Sequence, residues 1–173
     1  ELVSVLKAAR TCISKDVTRI SITRLCFEKG SGETVKIIAT DGHTLCLVTV
    51  PIWGNELKNA STRYELTSAD IDVILARAKS KPKPATLEIE LREEMSVFPD
   101  YDKVIPKYDG SESLKGAIGF NAEYLARLAT IAKAIGSKES AVELRFGTSD
   151  RDAVLATIAG LDSSAIVVIM PTV

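Results

Sequence analysis

Histidine and cysteine are scarce in this chain: its 173 residues include one His and three Cys. Cys12, Cys26 and Cys46 are an odd count with no CxxC and no Cys/His spacing, which argues against a disulfide framework or a zinc site. They read as small buried hydrophobes in a reducing cytoplasm, so a cytoplasmic location is expected. No apolar run approaches the ~20 residues a spanning helix needs. The start lacks the basic-then-apolar pattern of a secretory signal. The first residue is Glu1 rather than Met, which leaves room for residues upstream.

Catalytic signatures are missing too: there is no Walker loop, GxGxxG, GxSxG or HExxH. The single histidine sits in IIATDGHTLCLVTVP, residues 37–51. His43 could pair with Asp41 or a serine as a general base. Across a tight turn, however, residues two apart do not reliably share a face, and no nucleophile, metal set or phosphate loop accompanies the pair. A hairpin-tip or pocket-rim histidine is therefore expected, and no enzyme. The carboxylates Glu88, Glu90, Glu93, Glu94, Asp100, Asp102 and Asp109 match no calcium loop and read as a solvated strand face and linker. No metal or cofactor is expected.

What the chain does have is material for a core. Hydrophobic residues make up 46% and charged residues 26%, which fits one ordinary domain or two very small ones. Residues 1–15 read as an amphipathic helix, with Leu2, Val5, Leu6, Ala9 and Ile13 on one side. From Arg19 to Pro51 the period changes to that of strands: RISITRLCFE, a Gly30/Gly32 turn, TVKIIAT, an Asp41-Gly42 turn and HTLCLVTV. RYELT is a short strand. Thr67 with Asp70 makes a capping box, opening a helix with an Ile71, Ile74, Leu75, Ala78 stripe that Pro82 and Pro84 stop. ATLEIEL reads as a strand, and SVFPDYDKVIPKYDGSES as an extended connector.

The first pattern then returns. GAIGF reads as a strand, Asn121 as an N-cap, and Leu125, Leu128, Ala132 and Ile135 as a core-facing stripe. AVELRFGTS, AVLATIAGL and AIVVIMP complete a second three-strand meander. Short hairpins of this kind join antiparallel strands, so the fold class is α+β.

Charge is distributed unevenly. Segments 1–15, 68–83 and 121–138 carry ten Lys/Arg and four Asp/Glu, a balance of +6, which leaves −7 for the rest of a chain whose net charge is −1. Cations near helix C-termini suit the macrodipole, but Arg10, Arg77, Arg127 and Lys133 lie further inside. One positive face able to meet phosphates without reading bases is the functional alternative.

Four short motifs together resemble the bacterial DNA polymerase III β sliding clamp family. ATDGHTL (39–45) is similar to that family's ATDGHRL, and FPDYDKVIPK (98–107) to its FPDYRRVLPK. IGFNAEYL (118–125) is similar to IGFNVSYV, and VVIMPTV (167–173) to VVMPMRL. The resemblance implies a DNA-clamp-like fold, antiparallel sheets with helices on one face, the helices turned toward duplex DNA. Residues 1–173 would form a single compact clamp-like unit: a lobe over 1–97 resembling the clamp middle domain, a connector over 98–110, and a lobe over 111–173 resembling the closing half of the last domain. Two strands of the middle domain are missing between Leu91 and Phe98, and a clamp protomer is about twice this length. Four or six copies would complete a ring, or the chain would act as a monomer.

The function implied is a non-catalytic processivity or tethering factor that forms a homo-oligomeric ring on duplex DNA. DNA polymerase, the clamp loader and repair proteins would dock on it through short linear motifs. Matched residue by residue, the peptide cleft would comprise Ile22, Thr40, Gly42, His43, Leu45, Pro99, Lys103, Val104, Val168, Met170 and Pro171. Non-specific phosphate contacts would come from Lys7, Arg10, Arg77, Lys79, Lys81, Arg127 and Lys133. Thr44 stands where the family has arginine and Thr172 where it has methionine, and the terminal Arg-Leu is absent, so a shallower, less cationic cleft is expected. An adaptor or decoy that keeps the cleft without encircling DNA is the alternative.

Overall fold

The computed structural model describes residues 2–51, 63–80, 89–93, 97–108, 118–138 and 141–172. Helix α1 (Leu2–Ala9) buries Val5, Leu6, Ala8 and Ala9 on one stripe and runs into a 3-10 turn at Arg10–Cys12. It stops short of the expected residue 15. Ile13 turns extended, and the Ser14 amide donates to the Ile22 carbonyl at 2.9 Å. That bond ties the chain to a second 3-10 turn at Ile20–Ile22, which occupies the start of the segment read as strand. Strand β1 therefore begins at Arg24 rather than Arg19.

Strands β1 (Arg24–Lys29), β2 (Thr34–Thr40) and β3 (Thr44–Pro51) form the first meander. Strand β4 (Tyr64–Thr67) leads into α2 (Ser68–Ala78). The Thr67 hydroxyl accepts from the Asp70 amide while the Asp70 carboxylate accepts from the Thr67 amide, the reciprocal cap the spacing predicts. The short β5 (Arg92–Glu93) follows. Residues 89–91 of the predicted ATLEIEL strand are irregular, and 85–88, Pro82 and Pro84 lie outside the described residues.

Helix α3 (Ala122–Ala134) starts at Asn121, whose side chain accepts from the Glu123 amide at 2.9 Å. Its core stripe is Leu128, Ile131, Ala132 and Ile135; Leu125, expected inside, is 42% exposed. Leu125 lies in the first turn of α3, ahead of Leu128, the first buried residue of that helix. Of GAIGF, residues 118–120 are irregular, with the Gly119 carbonyl accepting from the Thr172 amide at 3.0 Å. Strands β6 (Glu143–Arg145), β7 (Val154–Ala159) and β8 (Ser164–Ile169) form the second meander.

All eight strands join one antiparallel sheet in the order β5-β4-β1-β2-β3-β8-β7-β6. The β3–β8 pairing, with Leu45 opposite Val168 and Cys46 opposite Val167, fuses the two meanders. One face, including Leu25, Ile37, Cys46, Val48, Ala156 and Val167, packs under the three helices. The other, including Ile38, Leu45, Leu47, Leu155 and Val168, packs under Phe98 and Tyr101 of the connector. Residues alternate between these faces along each strand. Burial on both faces explains why LCLVTV is nearly continuous in apolar character. The three cysteines are free thiols, all buried.

Candidate functional site

The β2–β3 hairpin tip is held by four hydrogen bonds between side chains and backbone. Three residues, Asp41 to His43, connect the strands, and Gly42 takes φ +92°, a left-handed conformation that favours glycine. A Cβ there would also meet the Arg19 guanidinium at 2.7 Å. The Asp41 Oδ1 accepts from the amides of His43 at 2.9 Å and Thr44 at 2.7 Å. The Thr40 hydroxyl donates to the Thr44 carbonyl at 2.9 Å and accepts from the Gly42 amide at 3.1 Å. Short polar side chains thus serve the turn's backbone groups where ladder bonds cannot.

Two links tie this tip to the second meander. The Met170 amide donates to the His43 carbonyl at 2.9 Å, continuing the β3–β8 pairing. On the helix side, Arg127 of α3 places Nη1 2.7 Å from Asp41 Oδ2. The same guanidinium lies 4.9 Å from the Tyr124 ring centroid, and Tyr124 is nearly parallel to the His43 ring at 6.2 Å. Burial pushes the Asp41 carboxyl up, but the Arg127 hydrogen bond and the His43 and Thr44 amides outweigh it and hold it below the usual carboxylate range.

The predicted cleft residues fall into groups. Thr40, Gly42, His43, Leu45, Val168 and Met170 come together at the joined ends of β2, β3 and β8. Leu45 and Val168 are buried, while Met170 is 39% exposed. Pro171 is half-buried and His43 exposed. On the connector, Pro99, Lys103 and Val104 are exposed, with Lys103 paired to Asp100 at 2.9 Å. The connector is anchored by buried Phe98 and Tyr101, which pack in one cluster with Leu45 and Val168. Ile22 is buried in its 3-10 turn, held through Ser14.

Of the predicted phosphate contacts, Lys7, Arg77, Lys79 and Lys133 are exposed on the helix-bearing side. Arg10 grips both carboxylate oxygens of Asp72, and Arg127 holds Asp41. Lys81 lies outside the described residues. A groove of about 970 Å³ runs between the three helices, with Lys7, Arg10, Lys15, Asn121, Tyr124 and Arg127 among its walls. The Asp41–Arg127 pair was not legible in advance, since its members are 86 residues apart. Tyr124 against His43 escaped for the same reason. Among the described residues, no group of three or more His, Cys, Asp or Glu is placed to hold a metal ion, and no helix is long and apolar enough to cross a membrane.

Helices over one face of a continuous antiparallel sheet, with a hairpin tip and a C-terminal strand meeting at its middle, is an arrangement with solved counterparts. The chain is similar to the Caulobacter crescentus pol III beta structure, with a TM-score of 0.70 and 17% identity over 99% of this chain and 64% of that one. This is the sliding-clamp fold. A Helicobacter pylori beta clamp in complex with diflunisal gives a TM-score of 0.72 and 14% identity over the same shares. The DNA polymerase III beta subunit of Thermotoga maritima gives 0.71 and 14%, over 99% of this chain and 63% of that one. The chain thus spans a little under two thirds of the clamps it matches. No family model and no curated protein matches the sequence. The likeness expected from four short motifs is borne out at the level of the fold.

Proposed function

We propose that this chain is a non-catalytic, clamp-like tether. Its helix-bearing side meets the phosphate backbone of duplex DNA without reading bases, and its opposite side docks short peptide segments of replication or repair proteins such as a polymerase or clamp loader. The observation that carries the reading is the division of the sheet. Exposed Lys7, Arg77, Lys79 and Lys133 lie on the helix side, and buried apolar Leu45 and Val168, with partly exposed Met170 and Val104, lie on the other. Flexible cations suit sequence-independent phosphate contact. An apolar floor with few polar groups suits a short peptide.

Within this proposal 1–173 acts as one clamp-like unit in the cytoplasm, and several copies close a ring. A second reading, a non-encircling adaptor that keeps only the peptide cleft, draws on a specific observation: Arg10 and Arg127 spend their charge on Asp72 and Asp41. Light scattering with and without closed circular duplex separates the two. A ring-sized oligomer retained on the circle supports the tether. A strict monomer with no retention, yet with peptide binding weakened by Met170→Ala, supports the adaptor.

A further inference from the structure

We infer that Arg127 is a positioning residue for the 41–44 hairpin and that an anion bound in the helix groove competes with Asp41 for it, so that occupancy of the groove loosens the hairpin tip at its edge, which the tether reading also assigns to peptide docking. The inference rests on the tether reading for what each side binds. Its basis is the geometry of one guanidinium.

Arg127 lines the groove together with the cations Lys7, Arg10 and Lys15 and the carboxylates Asp41 and Glu123, and its Nη1 is 2.7 Å from Asp41 Oδ2. The two oxygens of Asp41 face different tasks. Oδ2 meets Arg127, and Oδ1 holds the amides of His43 and Thr44. The carboxylate's orientation therefore transmits the position of Arg127 directly to the backbone of the tip. Both side chains are largely buried, 17% and 14% exposed, so the pair is shielded from the solvent that weakens surface ion pairs.

A phosphate oxyanion entering between Lys7, Lys15 and Arg127 carries the same charge as Asp41 and matches the same planar fork of donors. It draws the guanidinium away from Asp41 and repels the carboxylate, which lines the same groove. Tyr124, under Arg127 and beside His43, shifts with it. Coupling of this kind is reciprocal: a peptide that fixes the tip weakens anion binding by the same factor.

The test is the solvent-exchange rate of the Thr44 amide, read by NMR on the full chain with saturating duplex DNA, with inorganic tripolyphosphate, and with neither. Binding of each probe is measured separately by calorimetry. The expected result is exchange faster by about fivefold or more on adding duplex, the lower end of typical site-to-site coupling. In Arg127→Gln exchange is fast from the outset and indifferent to either anion, and Arg127→Lys restores part of the response. Duplex that binds without altering Thr44 exchange overturns the inference and leaves the tether reading standing. Duplex that does not bind, with tripolyphosphate still accelerating exchange, overturns the DNA reading and supports the inference. Failure of both probes to bind overturns both. Should Arg127→Gln not fold, the wild-type and Arg127→Lys measurements decide.

Discussion

The two faces of the central sheet are made by alternating residues of the same strands but are covered in different ways. Three helices cover one face with a large shared core that takes in Leu6, Ile71 and Ile131. A single connector covers the other, held mainly by Phe98 and Tyr101. The first cover is thick and carries cations outward. The second is thin and leaves an apolar margin at Met170 and Val104, 39% and 47% exposed. A thick cover suits a surface that presents charge. A thin one suits a surface that accepts a guest.

The contrast can be broken most forcefully at Tyr101, which is 1% exposed and whose hydroxyl donates to the Glu28 carboxylate. Tyr101→Ala is expected to cost about 3–5 kcal/mol in urea unfolding, as for other buried aromatics, against about 2–5 kcal/mol for Ile131→Ala on the helix side. If Tyr101→Ala instead leaves the unfolding midpoint unchanged, the connector is not an integral cover. Next comes the buried Arg24–Glu65 pair between β1 and β4, 15% and 4% exposed. Removing one partner strands the other's charge, so Glu65→Ala is expected to cost about 3 kcal/mol, read from the same unfolding curve.

Acid should loosen the hairpin tip by a smaller amount. The Asp41 carboxyl is held below its ordinary range in the folded chain. Its stabilising contribution is thus full above the unfolded pKa of ~3.9 and is lost as pH falls through the lower folded value. Below pH ~4, Asp41→Asn should lose less stability with each further step of acidification than the wild type; equal losses would count against the Arg127 pairing. The smallest effect on stability belongs to Met170→Ala, within about 0.5 kcal/mol because the side chain is at the surface. The same substitution should weaken docking of a clamp-binding peptide severalfold in fluorescence anisotropy. Unchanged peptide affinity would remove Met170 from the cleft.

Local chemistry was readable in the sequence wherever neighbours along the chain decide the structure. The Thr67/Asp70 cap, the Asn121 cap and the Asp41-Gly42 turn each depend on residues within a few positions. Boundaries were missed where a distant partner took over. Ile22 left its expected strand because its carbonyl accepts from Ser14, and Leu125, in the first turn of α3, stands 42% exposed outside its expected core. The union of two meanders into one sheet depends on β3 meeting β8 more than a hundred residues later in the chain, and no periodicity encodes such a pairing. Cleft candidates clustered where sheet pairing forces them together, at Leu45, Val168 and Met170. The cationic set divided by a rule charge counting cannot apply: Arg10 and Arg127 found carboxylates.

The central claim, that the helix side meets duplex DNA through its free cations, is tested most directly by duplex affinity as a function of salt. Each phosphate neutralised contributes a slope of about −0.9 in log affinity against log salt. Four contacts from Lys7, Arg77, Lys79 and Lys133 predict about −3.6 on that scale, and the double substitution Lys7→Gln with Lys133→Gln should bring it to about −1.8. No measurable duplex binding at low salt, or a slope the double substitution leaves unchanged, would contradict the account.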